Sequence, residues 1–305
     1  MTGPADPADA GQNDDPHALV QPPQTPMYRA AHAARYQRQE LLTQIEGFTG
    51  RPLLCYVATP TAVLCREDIR GFADLAHDLG PDDGVDVLIH TFGGDPAAAF
   101  RIAHLLRESV PEGGLRAIVP DTAQSAGTML AASMDDIVMS DTSELGPVDP
   151  RGMVPTAGGT RTRMPALAYI GAFEDAVLRA SKADATAPVW AELRDQFDPA
   201  AVHSCRQALA QTSSYLEQLL QRRHPSGGAP FTQVAANLLA PSRSATHGKV
   251  ITSKEAAVIG LPVSYLPRRD DLWQAYWRLY CLQASSLQPG ERLFESRRVS
   301  LNVQD

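Results

Sequence analysis

Apolar residues along this chain switch between continuous runs and helical spacing, and the switches predict strands alternating with helices. Residues 51–58, with Leu53, Leu54, Cys55, Tyr56 and Val57 in succession, predict a strand buried on both faces. Residues 85–91 repeat the pattern through Val85, Val87, Leu88 and Ile89, and shorter runs at 115–119 and 136–139 predict two more strands. Between them the spacing turns helical: Ile69, Phe72, Leu75 and Ala76 fall on one face of a helix expected over 66–79. Such alternation predicts a parallel sheet with right-handed crossovers. From 165 to 239 the pattern is helical, and its longest helix is expected over 200–222, with Val202, Cys205, Leu209, Leu216 and Leu220 on the packed side. A last amphipathic helix is expected over 273–282, and an N-terminal one over 28–45 that docks on a neighbour.

Proline, glycine and polar runs divide this pattern. Residues 1–26 hold Pro4, Pro7, Pro16, Pro22, Pro23 and Pro26 among Asp, Gly and Gln, with almost nothing to bury, which predicts a disordered tail. Residues 27–49 are the N-terminal helix, 50–268 the main α/β domain, and 269–305 a C-terminal helix followed by a loose Ser-, Arg- and Gln-rich end. Residues 153–164, with Gly158-Gly159 at their centre, predict a hairpin or flexible arm. Thr252 and Glu255 stand at capping-box spacing before a brief helix that Gly260 stops.

Composition narrows the function classes. A chain of 305 residues can bury a full core. A net charge of −8 and a pI of 5.5, with no basic stripe, exclude nucleic acid as the expected partner and leave a peptide or small acyl substrate. The cysteines Cys55, Cys65, Cys205 and Cys281 lie far apart without Cys-x-x-Cys spacing, which predicts reduced thiols, a cytoplasmic setting and no metal site. No apolar run is long enough to span a bilayer, so no integral membrane segment is expected.

The chemistry concentrates at two strand-to-helix turns. The strand over 85–91 breaks at Phe92-Gly93-Gly94-Asp95-Pro96, where Asp95 is placed to cap the next helix and Pro96 to open it. The strand over 115–119 leads into Pro120-Asp-Thr-Ala-Gln-Ser125-Ala-Gly, which puts Ser125 at a helix start. Adjacent turns of one parallel sheet would set glycines that admit close backbone approach beside a serine near a helix N-terminus. That pairing supplies an oxyanion hole and a nucleophile for acyl transfer. Either turn alone is better read as a turn glycine or an N-cap serine, and it is the pairing that points to chemistry.

Four motifs in order carry a family resemblance: strand-Phe-Gly-Gly-Asp95, Gln-Ser125-Ala-Gly, Ser143-Glu-Leu-Gly-Pro-Val-Asp-Pro150, and Thr246-His-Gly-Lys-Val-Ile-Thr followed by Glu-Ala and Gly-Leu-Pro262. Over residues 50–265 the chain resembles the serine dehydrogenase proteinase family, which groups with signal peptide peptidase A and the Clp proteolytic subunit. The resemblance implies a crotonase-like (Clp protease-like) α/β fold, a parallel-sheet superhelical domain with C-terminal helical additions. It implies a serine peptidase that needs no cofactor, acts on peptide or protein substrates and assembles as a homo-oligomer. Ser125 is then the nucleophile, and the N–H groups of Gly94 and Ala126 form the oxyanion hole, with Gly93 permitting the approach.

The proton acceptor is where the chain departs from these relatives. Clp-type enzymes carry a histidine in the loop where this chain has Val148, so a Clp-like triad is missing. Signal peptide peptidases use a lysine, and the lysines here are Lys182, Lys249 and Lys254. Lys182 falls broadly where short bacterial forms place theirs, yet it reads equally as an exposed helix-end residue. His247, in the Thr-His pair that the family shows, is the stronger candidate, since a neutral imidazole accepts a proton at pH 7 without prior desolvation. A loop histidine bonded to backbone is its bland counterpart. His90 is read as structural or substrate-lining, His203 as a surface residue and Asp149 as a turn residue or binding carboxylate. Two rival readings stay open: a crotonase-type enzyme acting on acyl-coenzyme A thioesters, with Glu144 as its nearest glutamate, and an inactive scaffold that keeps the fold without a working base.

Overall fold

The structure, a computed structural model, describes residues 25–156, 160–182, 191, 195–223, 231–239 and 249–304. In chain order the helices are α1 (Pro26–Ala31), α2 (Ala33–Thr49), α3 (Ile69–Ala76), α4 (Pro96–Ser109), α5 (Ala126–Ala132), α6 (Ala166–Ala180), α7 (Pro199–Arg223), α8 (Phe231–Leu239), α9 (Ser253–Ile259) and α10 (Asp271–Ala284). The strands are β1 (Leu53–Ala58), β2 (Val85–His90), β3 (Leu115–Ile118), β4 (Thr122–Ala123), β5 (Asp136–Met139), β6 (Glu144–Leu145), β7 (Arg151–Pro155), β8 (Arg161–Pro165), β9 (Val263–Tyr265), β10 (Glu291–Glu295) and β11 (Ser300–Gln304).

A seven-stranded sheet in the order β11-β10-β1-β2-β3-β5-β9 forms the centre. The strands from β1 to β9 in that order run parallel, as the alternating apolar pattern predicts. Because successive side chains of a strand point to opposite faces, each strand feeds two cores. Leu54, Tyr56, Val87, Ile89 and Ala117 join the larger core with helices α3, α4, α5, α7 and α8. Leu53, Cys55, Val57, Leu88 and Ile118 join a second core with Leu42 and Ile45 of α2 and Trp273 and Tyr276 of α10. The molecule is thus a helix-sheet-helix sandwich with the mostly parallel sheet of the ClpP/crotonase-like fold. The N-terminal helix that the sequence suggests as a docking element packs its apolar stripe within the same chain.

The end of the chain differs from expectation. Residues 291–304 are not loose: β10 pairs antiparallel with β1, and β11 extends the sheet beyond β10. Charged residues hide these strands from a hydrophobicity reading, because the charges on β10 are themselves buried and paired. Glu295, with no exposure, accepts Arg38 Nε at 2.8 Å, Gln283 Nε2 at 3.0 Å and Ser300 Oγ at 2.8 Å. Arg292 pairs with Asp68 at 2.6 Å. Asp86, the second residue of β2, is tolerated for the same reason: it accepts from Arg51, Arg116 and Tyr276.

The segment over 153–164 is a hairpin, β7 against β8, which joins α6 and α7 in a separate small core around Val154, Tyr169, Ile170 and Cys205. Thr252 and Glu255 form the capping box of α9, and Gly260 ends it at φ 104°. The expected N-terminal tail falls almost wholly outside the described residues.

Candidate active site

Parallel strands β2 and β3 end side by side, and their continuations stay paired past the sheet. Thr91 N–H donates to the Thr122 carbonyl at 2.9 Å, and Gln124 N–H returns a bond to the Thr91 carbonyl at 3.0 Å. This bridge carries the glycine turn and the serine turn together. Gly93 sits at φ 106°, a left-handed conformation that disfavours any side chain. A Cβ there would stand 2.8 Å from the Ser125 Cβ, so the two turns touch through the missing side chain. Gly94 is required by its other side: a Cβ would run into the backbone of Leu64. Leu64 pairs with this stretch, donating to the Gly93 carbonyl at 2.9 Å and accepting from Asp95 N–H at 2.8 Å. Asp95 caps α4 through Ala97 N–H at 2.9 Å, with Pro96 opening the helix.

Ser125 precedes α5 but does not cap it, since its side chain makes no capping bond. It has φ 53° and ψ −113°, and among the described residues it is the one non-glycine with positive φ. A strained serine on a sharp strand-to-helix turn presents its hydroxyl away from the helix it starts. Ser125 is 8 % exposed, and among the described residues its hydroxyl has no hydrogen-bond partner. Nor, among the described residues, do the N–H groups of Gly94 and Ala126 have an acceptor. Among the described residues the two turns therefore offer one uncommitted hydroxyl and two uncommitted amide donors.

The other candidates fall in separate places. Val148 is buried, its N–H held by the Leu238 carbonyl at 2.9 Å. Asp149 is also buried, which pushes its carboxyl above the usual carboxylate range, and it accepts from Leu167 N–H at the start of α6. Lys182 is exposed just beyond the end of α6, and His203 is exposed on α7. Lys249 lies 3.9 Å from Glu255. His247 lies outside the described residues. Glu144 Oε1 accepts from Thr122 Oγ1 at 3.2 Å and Gln124 Nε2 at 2.9 Å, which engages that oxygen in holding the serine turn.

His90 is buried at the end of β2, and burial lowers its pKa to about 4. Its neighbours Asp121 and Tyr280 were not singled out by the sequence. Tyr280 donates to Asp121 at 2.7 Å, and no local spacing could reveal a contact spanning 159 positions.

The glycine turn, the serine turn and the Glu144–Pro150 loop all lie in one matched segment. Residues 67–162 match the family model of the ClpP-like SDH-type serine proteinases. The motif resemblance points to this same family, although the match leaves the Thr246–Pro262 motif outside it. Two uncharacterized proteins of Methanocaldococcus jannaschii are similar: one is 31 % identical over 60 % of this chain and 54 % of its own length, the other 33 % identical over 41 % and 38 %. The chain thus spans about half the length, or less, of these curated relatives. Among solved structures, similarity extends to a membrane-bound stomatin-specific protease, with 13 % identity, a TM-score of 0.41, and 70 % of this chain and 83 % of that chain covered. A peptidase from Plasmodium falciparum gives 10 % identity and a TM-score of 0.39, covering 74 % and 97 %.

Proposed function

We propose that the chain is a serine peptidase that forms an acyl-enzyme at Ser125. The observation that carries this reading is the conformation of Ser125, strained, uncapped and pressed against Gly93. In the proposed reaction Ser125 Oγ attacks the substrate carbonyl carbon as its proton passes to a base. The Gly94 and Ala126 N–H groups then bind the resulting oxyanion, each donor typically being worth about a hundredfold or more in rate. Collapse of the intermediate breaks the C–N bond, the amine leaves with the proton, and water hydrolyses the ester.

The base in this proposal is His247, with Lys182 as its competitor. Support for His247 comes from the anchoring of its flank. Ile251 bridges Leu145, and the adjoining Gly146 lies against the Gln124 side chain. The acyl-coenzyme A reading is disfavoured because Glu144 is already engaged by Thr122 and Gln124. A homo-oligomer remains part of the proposal through the family resemblance, and a cytoplasmic setting through the scattered cysteines. Among the described residues no helix is long and apolar enough to cross a membrane.

A fluorophosphonate probe tests the nucleophile. Wild type should label covalently and Ser125→Ala should not, and a wild type that never labels would remove Ser125 from the chemistry. His247→Ala should slow labelling while Lys182→Ala leaves it unchanged, and the reverse would exchange their roles. If neither slows it, both are dismissed as the base.

A further inference from the structure

We propose that His90 is a positioning residue that locks the glycine turn to the serine turn and ties both to helix α10. The proposal rests on the reading of these turns as the catalytic site.

The hydrogen bonds around the ring assign its tautomer. Nδ1 accepts the Thr122 N–H at 3.3 Å, so it carries no proton. Tyr280 Oη donates its own proton to Asp121 at 2.7 Å, which leaves that oxygen to accept from His90 Nε2–H at 3.5 Å. Donation therefore runs in one direction, from Thr122 through His90 and Tyr280 to Asp121. The ring also meets Phe92 edge-on, with centroids 5.4 Å apart. One imidazole thus touches the residue before Gly93, the amide three positions before Ser125, and α10.

The arrangement follows from strand alternation. Asp86, Leu88 and His90 share the α10 side of β2, and Tyr276 and Tyr280, one helical turn apart, reach Asp86 and His90 respectively. Asp86 has arginine partners and a structural task. Among the described residues His90 has no cationic or anionic partner while it is neutral, and its contacts lead to the two turns and to α10. Protonation would put a donor at Nδ1 against the Thr122 N–H. Asp121 Oδ2, 3.8 Å away, would then draw the ring toward itself and release Thr122. The titratable groups facing the ring are Asp121 and Tyr280, with Cys281 beside Tyr280.

The test uses the full chain and four forms of position 90. His90→Asn offers an amide oxygen where Nδ1 stands, His90→Gln offers one nearer the Nε2 position, and His90→Leu offers none. The Asn and Leu forms lose the link to Tyr280 at Nε2 while the Gln form can keep it, so the Asn form should be no more stable to heat than the Gln form. If His90 positions the turns, fluorophosphonate labelling falls about tenfold or more in the Leu and Gln forms and stays within about threefold of wild type in the Asn form. Amide hydrogen exchange at Thr122, Gly93 and Gln124, whose N–H groups are bonded at the turns, should accelerate in the Leu and Gln forms and stay slow in the Asn form. Labelling that simply follows thermal stability, or exchange unchanged in the Leu and Gln forms, overturns the proposal. A wild type that never labels defeats the nucleophile reading instead, and hydrogen exchange then decides by itself whether His90 couples the turns.

Discussion

Ser125 is held in a backbone conformation that almost any other residue type would avoid. Non-glycine residues in sparsely populated regions cost about 1–3 kcal/mol, and such conformations persist only where the surroundings enforce them. Here the enforcement comes from Gly93 on one side and from the Thr91 bridge on the other. A capping role would explain a serine at a helix start, but Ser125 makes no capping bond. Ser125→Gly relieves the positive φ and Ser125→Ala retains it. Against a loss of about 0.5–1 kcal/mol for the extra freedom of glycine in the unfolded chain, the glycine form should still be the more stable by about 1 kcal/mol. Urea unfolding of the two forms measures this. An alanine form as stable as the glycine form would mean that the turn relaxes and that no strain is stored at the hydroxyl. Both forms should fail to label.

At the level of elements, the buried carboxylate of Glu295 holds α2, α10 and β10 together. Arg38 comes from α2, Gln283 from α10 and Ser300 from β11, all on one fully buried acceptor. Removing one partner of a buried pair leaves an uncompensated charge and typically costs about 3–5 kcal/mol. Arg38→Met should therefore destabilise the chain by that order in urea, and combining it with Glu295→Met should recover much of the loss. A single variant within about 1 kcal/mol of wild type would show that the carboxylate takes up a proton or water instead. The same site explains which elements the sequence made legible. Strands β1, β2, β3 and β5 hold adjacent apolar residues that fill both faces, despite Asp86 on β2 and Arg116 on β3, and stand out as runs. Strand β10, whose buried Arg292 and Glu295 are neutralised by partners far away in the chain, does not. Helix limits such as those of α4 and α9 were readable because Asp95, Pro96, Thr252 and Gly260 act on their immediate neighbours.

Across the whole molecule, the two turns of the candidate site could be found because each has its own short pattern, and His90 because it ends the strand before one of them, whereas its partners Asp121 and Tyr280 could not. Tyr280 reaches Asp121 and His90 only because α10 folds back over the sheet. This long-range cluster gives the fold a pH dependence of definite sign. The His90 pKa is lowered from 6.5 to about 4, by burial against the weaker pull of Asp121. Between those values the unfolded chain binds a proton that the folded chain refuses, so stability is complete above pH 6.5 and falls as pH falls toward 4. At about 1.4 kcal/mol per unit of pKa difference, the loss attributable to this group is on the order of 3 kcal/mol. Other groups titrate at acid pH, Asp149 and Asp68 among them with raised carboxyl pKa values that act in the opposite sense. Subtracting the stability curve of His90→Asn from that of wild type cancels them. The difference should change steadily between pH 6.5 and 4 and lie flat above 6.5. A flat difference throughout would mean that His90 binds its proton as readily in the folded chain as in the unfolded one, with Asp121 offsetting the burial.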